Sequence, residues 1–357
     1  METITDLIRD VPIPKMVKIR QNFDRTHISE TELAGVVTRE LDREEIGGKI
    51  LPGQKIAITC GSRGITHYAV MARAMVDFVK SKGAEPYIVA SMGSHGGATA
   101  EGQLQILRDY GITEEAMGCP VKSSMETVEI GLSAVRKQPV RIDKYASEAD
   151  GILLFNRVKP HTSFRGRYES GLMKMMAIGL GKQHGAENIH HQSPAIMHEL
   201  VEEYGRTILE NCPILGGIAV IEDAYDETYL IKGLSPEEII TEEPKLKEIS
   251  YKTIAHLLFD KCDVLVVDKI GKNISGDGMD PNVSGRFVLD LTDETHGNAQ
   301  GIGLAEVTTR RLFNKMKLEM TYPTGVTNTF LHLMKIPMIM DNDREALQLA
   351  LMCCPDA

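Results

Sequence analysis

Residues 55–111 decide the fold: KIAITCGSRGITHYAVMARAMVDFVKSKGAEPYIVASMGSHGGATAEGQLQILRDYG. The stretch contains the same order of patterns twice, namely a short apolar run, a glycine-rich polar segment and a segment with helical spacing. Strands that alternate with helices in this way are typical of a mainly parallel sheet with helices on both faces. The sequence therefore predicts an α/β fold.

A third unit follows at residues 149–178. Its pattern predicts a strand in ADGILLFNRV, a loop in KPHTSFRGR and a helix from Ser170 onward. Ligands of open α/β sheets bind beyond the carboxyl ends of the strands. The three loops after the strands each carry one reactive candidate, Arg63, His95 or His161, so we expect the functional site at this edge of the sheet.

The length of 357 residues exceeds the usual size of one hydrophobic core and predicts two domains. We expect an N-terminal α/β domain over residues 1–250 and a C-terminal α/β domain over 251–342, with the site in the cleft between them. The final helix, 343–357, is expected to pack back on the first domain, and the polar loop 272–286 to cover the substrate. The acidic segment TEEPKLKE, 241–248, is predicted to be solvated surface near the junction.

Composition excludes several classes of function. The net charge of -10 argues against nucleic acid as a partner, because binding to a polyanion depends on clustered Lys and Arg. The six cysteines form no CxxC pair, so the sequence gives no indication of a zinc finger or a redox disulfide. The chain shows neither a signal pattern at its start nor an apolar run of about 18 residues, which a membrane span needs. The sequence therefore predicts a cytoplasmic protein without a membrane partner.

Histidines are concentrated in residues 156–191, NRVKPHTSFRGRYESGLMKMMAIGLGKQHGAENIHH. This stretch holds His161, His184, His190 and His191, and imidazole is the side chain whose ordinary pKa lies near neutrality. The density predicts a site for proton transfer, for a metal, or for both. Surface histidines on a pair of helices are the alternative.

The chemistry of these residues favours proton transfer at a small anionic substrate. His95 and His161 lie on separate loops, and a racemase or epimerase needs acid/base groups on opposite faces of its substrate. Arg63 could clamp a carboxylate in bidentate fashion. Lys174 lies among apolar residues that disfavour its charged form, which favours a covalent link through its amine. His190 could ligate a borderline metal such as nickel or zinc.

The order of motifs resembles the nickel-dependent lactate racemase family, whose enzymes carry a nickel-pincer nucleotide. The motifs are GSRG, GSHGG, KPH, the segment around Lys174, and Asn188-Ile189-His190, and the resemblance extends from about Lys55 to the final helix. It implies racemisation or epimerisation of a 2-hydroxy acid. The α-hydrogen would leave as a hydride to the cofactor while a histidine takes the hydroxyl proton.

The resemblance also implies roles for individual residues. Lys174 matches the lysine that holds the cofactor through a thioamide, and His190 matches the nickel ligand, with His191 as the alternative register. The acid/base histidines match His95 and His161. Arg63 matches the carboxylate-binding arginine. Cofactor-assembly enzymes are implied as partners, and a homo-oligomer is compatible with the sequence.

Departures from the family concern the substrate. The loop before Lys174 is about three residues longer than in lactate racemase and contains Arg165 and Arg167. The glutamine and lysine that follow Asp-x-Asn in lactate racemases are absent after Asp280-Pro281-Asn282. Arg165, Arg167 or Arg286 could instead pair with an additional anionic group. We therefore expect a 2-hydroxy acid other than lactate, larger or with a second carboxylate.

Two other functions stay open. A zinc-dependent hydrolase could use His161, His184 and His190 with Glu169 or Glu187 as general base, although no HExxH spacing supports it. The second is a small-molecule-binding homologue that kept the pocket and lost catalysis.

Overall fold

The computed structural model describes residues 3–192, 196–258, 261–269, 275, 279–284, 303–309 and 340–352. Two compact units are present, one formed by Asp24–Ile254 and the other by Met1–Phe23 together with Ala255–Ala357. The first 23 residues thus group with the C-terminal part of the chain, whereas the sequence grouped them with the N-terminal domain. The domain boundaries themselves stay predictions.

The unit Asp24–Ile254 is organised around a six-stranded sheet. Its strands and those of a separate hairpin are β1 (Lys55–Cys60), β2 (Glu85–Ala90), β3 (Val121–Lys122), β4 (Thr127–Leu132), β5 (Pro139–Asp143), β6 (Gly151–Arg157), β7 (Ile214–Glu222) and β8 (Thr228–Leu234). The order in the sheet is β3-β2-β1-β6-β7-β8, and only β7 and β8 pair antiparallel. The predicted α/β class with a mainly parallel sheet is confirmed.

Helices cover both faces of this sheet. They are α2 (Glu30–Leu41), α3 (Tyr68–Ser81), α4 (Ala100–Asp109), α5 (Glu114–Met117), α6 (Lys144–Ser147), α7 (Leu172–Lys174), a π-helical segment (Met175–Leu180), α8 (Lys182–His190), α9 (Met197–Asn211), α10 (Pro236–Thr241) and α11 (Glu243–Thr253). Short 3-10 turns occupy Gly47–Lys49 and Gly96–Ala98.

The apolar runs of the strands supply two cores because successive side chains of a strand lie on opposite faces. In β1, Ile56 and Ile58 pack with α2 and α3 residues, whereas Ala57 joins the core under α9 and the π-helical segment. This explains why the strands read as continuous hydrophobic sequence. The sheet edge that carries the three polar loops is thereby fixed between two rigid layers.

The segment 241–248 corrects one prediction. It is not solvated surface: most of it begins α11, and both Glu243 and Leu246 are buried. The acidic composition suggested exposure, but the first residue of the helix, Glu243, has a buried carboxyl group. The sequence Ser235-Pro236-Glu237-Glu238 predicts the start of a helix, and α10 begins there. The Ser235 side chain accepts a hydrogen bond from the Glu238 backbone, and Pro236 stands at the first helical position.

The second unit contains α1 (Ile4–Ile8), β9 (Lys261–Val267), α12 (Pro281–Ser284), β10 (Gly303–Thr309) and α13 (Asp343–Met352), with β9 and β10 paired parallel. The pattern of VTTRRLFNKM, residues 307–316, predicts a helix, which is wrong for 307–309 because they end β10. Helix α13 contacts α1, β9 and β10, and Gln348 donates from Nε2 to the carbonyls of Arg9 and Val11 at 3.0 and 2.9 Å.

Candidate functional site

Three loops follow β1, β2 and β6, which are neighbours in the order β2-β1-β6 and run parallel. Their carboxyl ends therefore lie at one edge, as the sequence predicts. We refer to residues 61–67 as the Arg63 loop, 91–99 as the His95 loop and 158–171 as the His161 loop.

The Arg63 loop is held by groups on either side while Arg63 itself is exposed. The Tyr68 hydroxyl accepts a hydrogen bond from Gly61 N at 2.6 Å, and the Tyr110 hydroxyl donates to the Ser62 carbonyl at 2.8 Å. Glu222, which forms a buried pair with Arg157, accepts from Thr66 N at 2.7 Å. Fixed backbone and exposed guanidinium together suit a residue that meets an anion from solvent.

His95 is exposed and joins the Arg63 loop directly. Its Nδ1 lies 2.6 Å from the Ser62 hydroxyl oxygen. Sequence reasoning missed Ser62, although its position beside Arg63 in GSRG was available as a signal. The hydrogen bond fixes the orientation of the imidazole ring.

His161 differs in that its ring is half-buried and stacked on Phe164, with ring centroids 4.0 Å apart. Its Nδ1 accepts a hydrogen bond from Ser163 N at 3.1 Å, which places the proton of the neutral ring on Nε2. Burial lowers the pKa of His161 well below its ordinary value, and the charges of Lys174, Lys159, His190 and Arg165 lower it further.

Glu169 organises the backbone around His161. Its carboxylate accepts from His161 N at 2.7 Å and from the Tyr251 hydroxyl at 2.9 Å. Two cations, Arg165 at 3.4 Å and Lys247 at 3.5 Å, pair with the same carboxylate, which is fully buried. The sequence offered Glu169 only as a hydrolase base, because nothing local shows that a residue eight positions on returns to cap His161.

Arg165 is almost fully buried and takes part in this network. It donates from Nη1 to the His161 carbonyl at 2.7 Å and lies 5.4 Å from the ring centre of Tyr251. These contacts give Arg165 a role in shaping the loop, and its predicted contact with substrate stays a prediction. Arg286 and most of the predicted covering loop 272–286 lie outside the described residues.

Lys174 ends α7 and is half-buried. The start of that helix is capped by the buried carboxylate of Glu243, which accepts from Leu172 N at 2.8 Å and from Met173 N at 3.1 Å. Burial raises the pKa of Glu243 to about 8. A side chain at Gly171 would meet Glu243 Oε1 at 2.4 Å, so the close approach requires glycine there.

His190 closes α8 and is exposed. Its Nδ1 lies 2.6 Å from the Ala186 carbonyl oxygen, which can only accept, so Nδ1 carries the proton and Nε2 holds the lone pair. Metal-binding histidines usually have their other ring nitrogen held in this way. His184 Nδ1 instead lies 3.3 Å from Asn188 Nδ2, and His191 is exposed.

The structure thus brings His161 within electrostatic range of Lys174, Lys159 and His190. It joins His95 to the loop of Arg63 through Ser62. Among the described residues, no group of three or more His, Cys, Asp or Glu side chains could hold a metal ion. The zinc-hydrolase alternative needs three such ligands. The nickel-pincer resemblance asks the protein for one imidazole, and the Nδ1-held ring of His190 fits that requirement.

None of the helices in the described part of the chain is long and apolar enough to cross a membrane. Comparison with solved structures gives a protein from Thermotoga maritima with a TM-score of 0.52 and 13% identity, where the match covers 71% of this chain and 66% of that protein. The likeness shows a shared fold. The lactate racemase apoprotein from Thermoanaerobacterium thermosaccharolyticum is also similar, with a TM-score of 0.48, 14% identity and coverage of 70% and 62%.

The match therefore spans about two thirds of the length of these solved proteins or slightly less. No curated protein matches the chain. Residues 58–273, more than half of the sequence, match a protein family described as a domain of unknown function, DUF362. That range includes the three loops, α7 and α8. The chain belongs to the DUF362 family.

Proposed function

We propose that the protein is a nickel-dependent racemase or epimerase of a 2-hydroxy acid. The observation that carries the proposal is the grouping of His161 with Lys174 and His190 beyond β6, close enough for both residues to lower the pKa of the His161 imidazole electrostatically. This grouping supports the proposal that Lys174 would hold a cofactor, His190 would ligate its metal and His161 would transfer a proton. The weak likeness to the solved racemase adds no weight to this proposal.

Lys174 and His190 would hold the cofactor. Lys174 stands at the end of a helix whose start is fixed by Glu243, and His190 presents Nε2 because Nδ1 is engaged with Ala186. When bound, the nickel-pincer nucleotide supplies a hydride acceptor and donor. The protein's own task is to position the 2-hydroxy acid and to move its hydroxyl proton.

His95 and His161 would act as the acid/base pair on the substrate hydroxyl, one for each configuration. To accept a proton at Nε2, His161 would need the opposite tautomer, with its own proton on Nδ1, because Nδ1 accepts a hydrogen bond from Ser163 N. Ser62 orients His95, whereas the backbone of Ser163 and the face of Phe164 orient His161. Arg63, exposed on a held loop, would bind the substrate carboxylate in bidentate fashion. A substrate other than lactate is expected, with Arg286 and Arg165 as candidates for contact with an additional anionic group.

Mass spectrometry of the intact protein tests the cofactor assignment. We produce the full chain together with the pincer-assembly enzymes. Its intact mass should increase by that of one covalently attached cofactor, and it should contain nickel in about equal amount to protein. Lys174→Ala should abolish the mass gain. Lys159→Ala is the matched control, since Lys159 also lies near His161, and it should keep the gain.

The same measurement separates the other functions. Unmodified wild-type protein that contains zinc would overturn the proposal in favour of the hydrolase. A mass gain that persists in Lys174→Ala would overturn the assignment of the attachment site. Modified, nickel-loaded protein without activity on any 2-hydroxy acid would favour the non-catalytic binding protein.

A further inference from the structure

A buried polar cluster lies beneath the His95 loop. The Lys182 side chain is fully buried, and its ammonium donates to the Ala90 carbonyl at 2.7 Å and to Gln103 Oε1. The carboxylate of Asp143, also fully buried, lies 3.4 Å from the same nitrogen. A buried ion pair adds little net stability compared with apolar residues of the same volume. Its presence therefore calls for a use other than stability.

Gln103 connects this cluster to the His95 loop. While its Oε1 accepts from Lys182, its Nε2 donates to the carbonyls of Gly93 at 2.8 Å and of His95 at 3.2 Å. An ammonium can only donate, so it fixes which end of the amide faces the loop. The backbone of His95 is thus held by an amide that Lys182 orients.

Lys182 also begins α8, the helix that ends at His190, and it follows the π-helical segment that Lys174 precedes. Its φ of 55° is unusual for a residue with a side chain. A second contact joins the same parts, since Gly93 N donates to the Gly179 carbonyl at 3.3 Å. Buried contacts therefore join the helices that carry the proposed cofactor residues to the loop that carries His95.

We propose that Lys182 and Gln103 are positioning residues that set the place of His95 relative to the helices of Lys174 and His190. The proposal rests on the proposed function for its catalytic consequence, but its structural part can be measured without any substrate. A displaced acid/base group reduces turnover while binding of the cofactor continues.

Histidine-selective NMR of the full chain without cofactor tests the structural part. The His95 and His161 signals are assigned with His95→Gln and His161→Gln. Gln103→Glu keeps an acceptor for Lys182 but loses both donors to the loop, so we expect the His95 signal to shift while the His161 signal stays. Glu169→Gln, the matched change beneath the other loop, should shift His161 and leave His95.

A second variant covers the case that Gln103→Glu fails to fold. Lys182→Met combined with Asp143→Asn removes both buried charges together. The Gln103 amide then lacks the ammonium that orients it, so we again expect a shift of the His95 signal alone. An unchanged His95 signal in the folded variants, or equal shifts of both histidines, would overturn the proposal.

The catalytic consequence is measured on cofactor-loaded enzyme. In Gln103→Glu we expect kcat to fall by about 10²-fold, the loss typical of a displaced catalytic group, with KM and the covalent mass gain unchanged. A raised KM at unchanged kcat would contradict positioning of His95. If wild type turns over no hydroxy acid, the proposed function fails while the NMR result still decides the positioning role.

Discussion

The His95 loop and the His161 loop follow neighbouring parallel strands, yet they hold their histidines in opposite ways. His95 is exposed and contacts Ser62, and its loop is held from below through Gln103. His161 is half-buried, stacked on Phe164, and has its backbone bound to the buried carboxylate of Glu169. Burial and nearby cations therefore favour the neutral imidazole of His161, whereas the imidazole of His95 is accessible to solvent.

The comparison matters for acid/base chemistry because a histidine kept neutral does not readily supply a proton. Lys174 and His190 are near His161 and are among the residues that lower its pKa. Attachment of a cofactor at Lys174 would remove one positive charge there. The protonation of His161 is therefore tied to the state of Lys174, whereas the hydrogen bond with Ser62 orients the ring of His95.

The largest effect is expected from removing either imidazole. His95→Ala and His161→Ala should each lower the turnover of loaded enzyme by about 10²–10⁴-fold, the usual contribution of a positioned acid or base. Both variants should keep the covalent mass gain and nickel, whereas His190→Ala should lose nickel on dialysis. Full activity in either of the first two variants would remove the scheme of two acid/base histidines.

Stability should separate the two loops next. Glu169→Ala leaves the buried Arg165 and the mostly buried Lys247 without their carboxylate, and breaking such a pair costs about 3–5 kcal/mol. Gln103→Leu removes the amide that bonds the His95 loop and Lys182, but Lys182 keeps Asp143 and the Ala90 carbonyl as partners. We therefore expect a loss of about 1–3 kcal/mol. Denaturant unfolding measures both. A larger loss for Gln103→Leu would reverse the comparison.

The pH dependence of stability tests the support that the buried carboxyl group of Glu243 gives to the helix of Lys174. Burial raises the pKa of Glu243 from 4.5 to about 8. A raised folded-state pKa gives stability that is present below the unfolded pKa and is lost as the pH rises toward 8. Between pH 5.5 and 7.5 this loss amounts to about 2.5 kcal/mol.

Glu243→Gln keeps an oxygen for Leu172 N and Met173 N but does not titrate. The variant should therefore become more stable relative to wild type as the pH rises over this interval, because only wild type loses the stability contributed by protonated Glu243. Urea denaturation at the two pH values measures the difference. A constant difference would show that the Glu243 carboxyl does not change its protonation there.

The smallest effect concerns the pKa of His161 itself. In the protein without metal, Lys174→Met removes a positive charge that lowers this pKa, beside Lys159, His190 and Arg165, which remain. The pKa of His161 should therefore rise, while the His95 titration stays as in wild type. Histidine-selective NMR over a pH series follows both rings. Equal changes at His95 and His161 would contradict the separation of the two loops.

Much of the fold around these loops could be predicted from the sequence because its signal is local. The apolar runs and turns of β1, β2 and β6 lie within a few residues, and the helices after them follow the predicted order. The β4–β5 hairpin was missed, since its strands are partly exposed and lack a strong apolar pattern.

The supporting residues of the site could not be predicted in the same way. Glu169, Glu243 and Lys182 are of residue types that usually lie on the surface. Their burial is decided by partners up to 92 positions away, such as Ala90 for Lys182. Reactive histidines could be found by residue type and loop position. What holds them in place depends on tertiary contacts that no local pattern encodes.

A chiral assay of the nickel-loaded wild-type protein on enantiopure 2-hydroxy acids tests the proposed activity itself. The panel contains lactate, malate, 2-hydroxyglutarate and sugar acids, with Lys174→Ala as the inactive control. We expect at least one acid to be converted to its opposite configuration and lactate not to be the best substrate. Loaded protein that leaves every acid unchanged would contradict the proposed activity, and a preference for lactate would contradict the predicted substrate class.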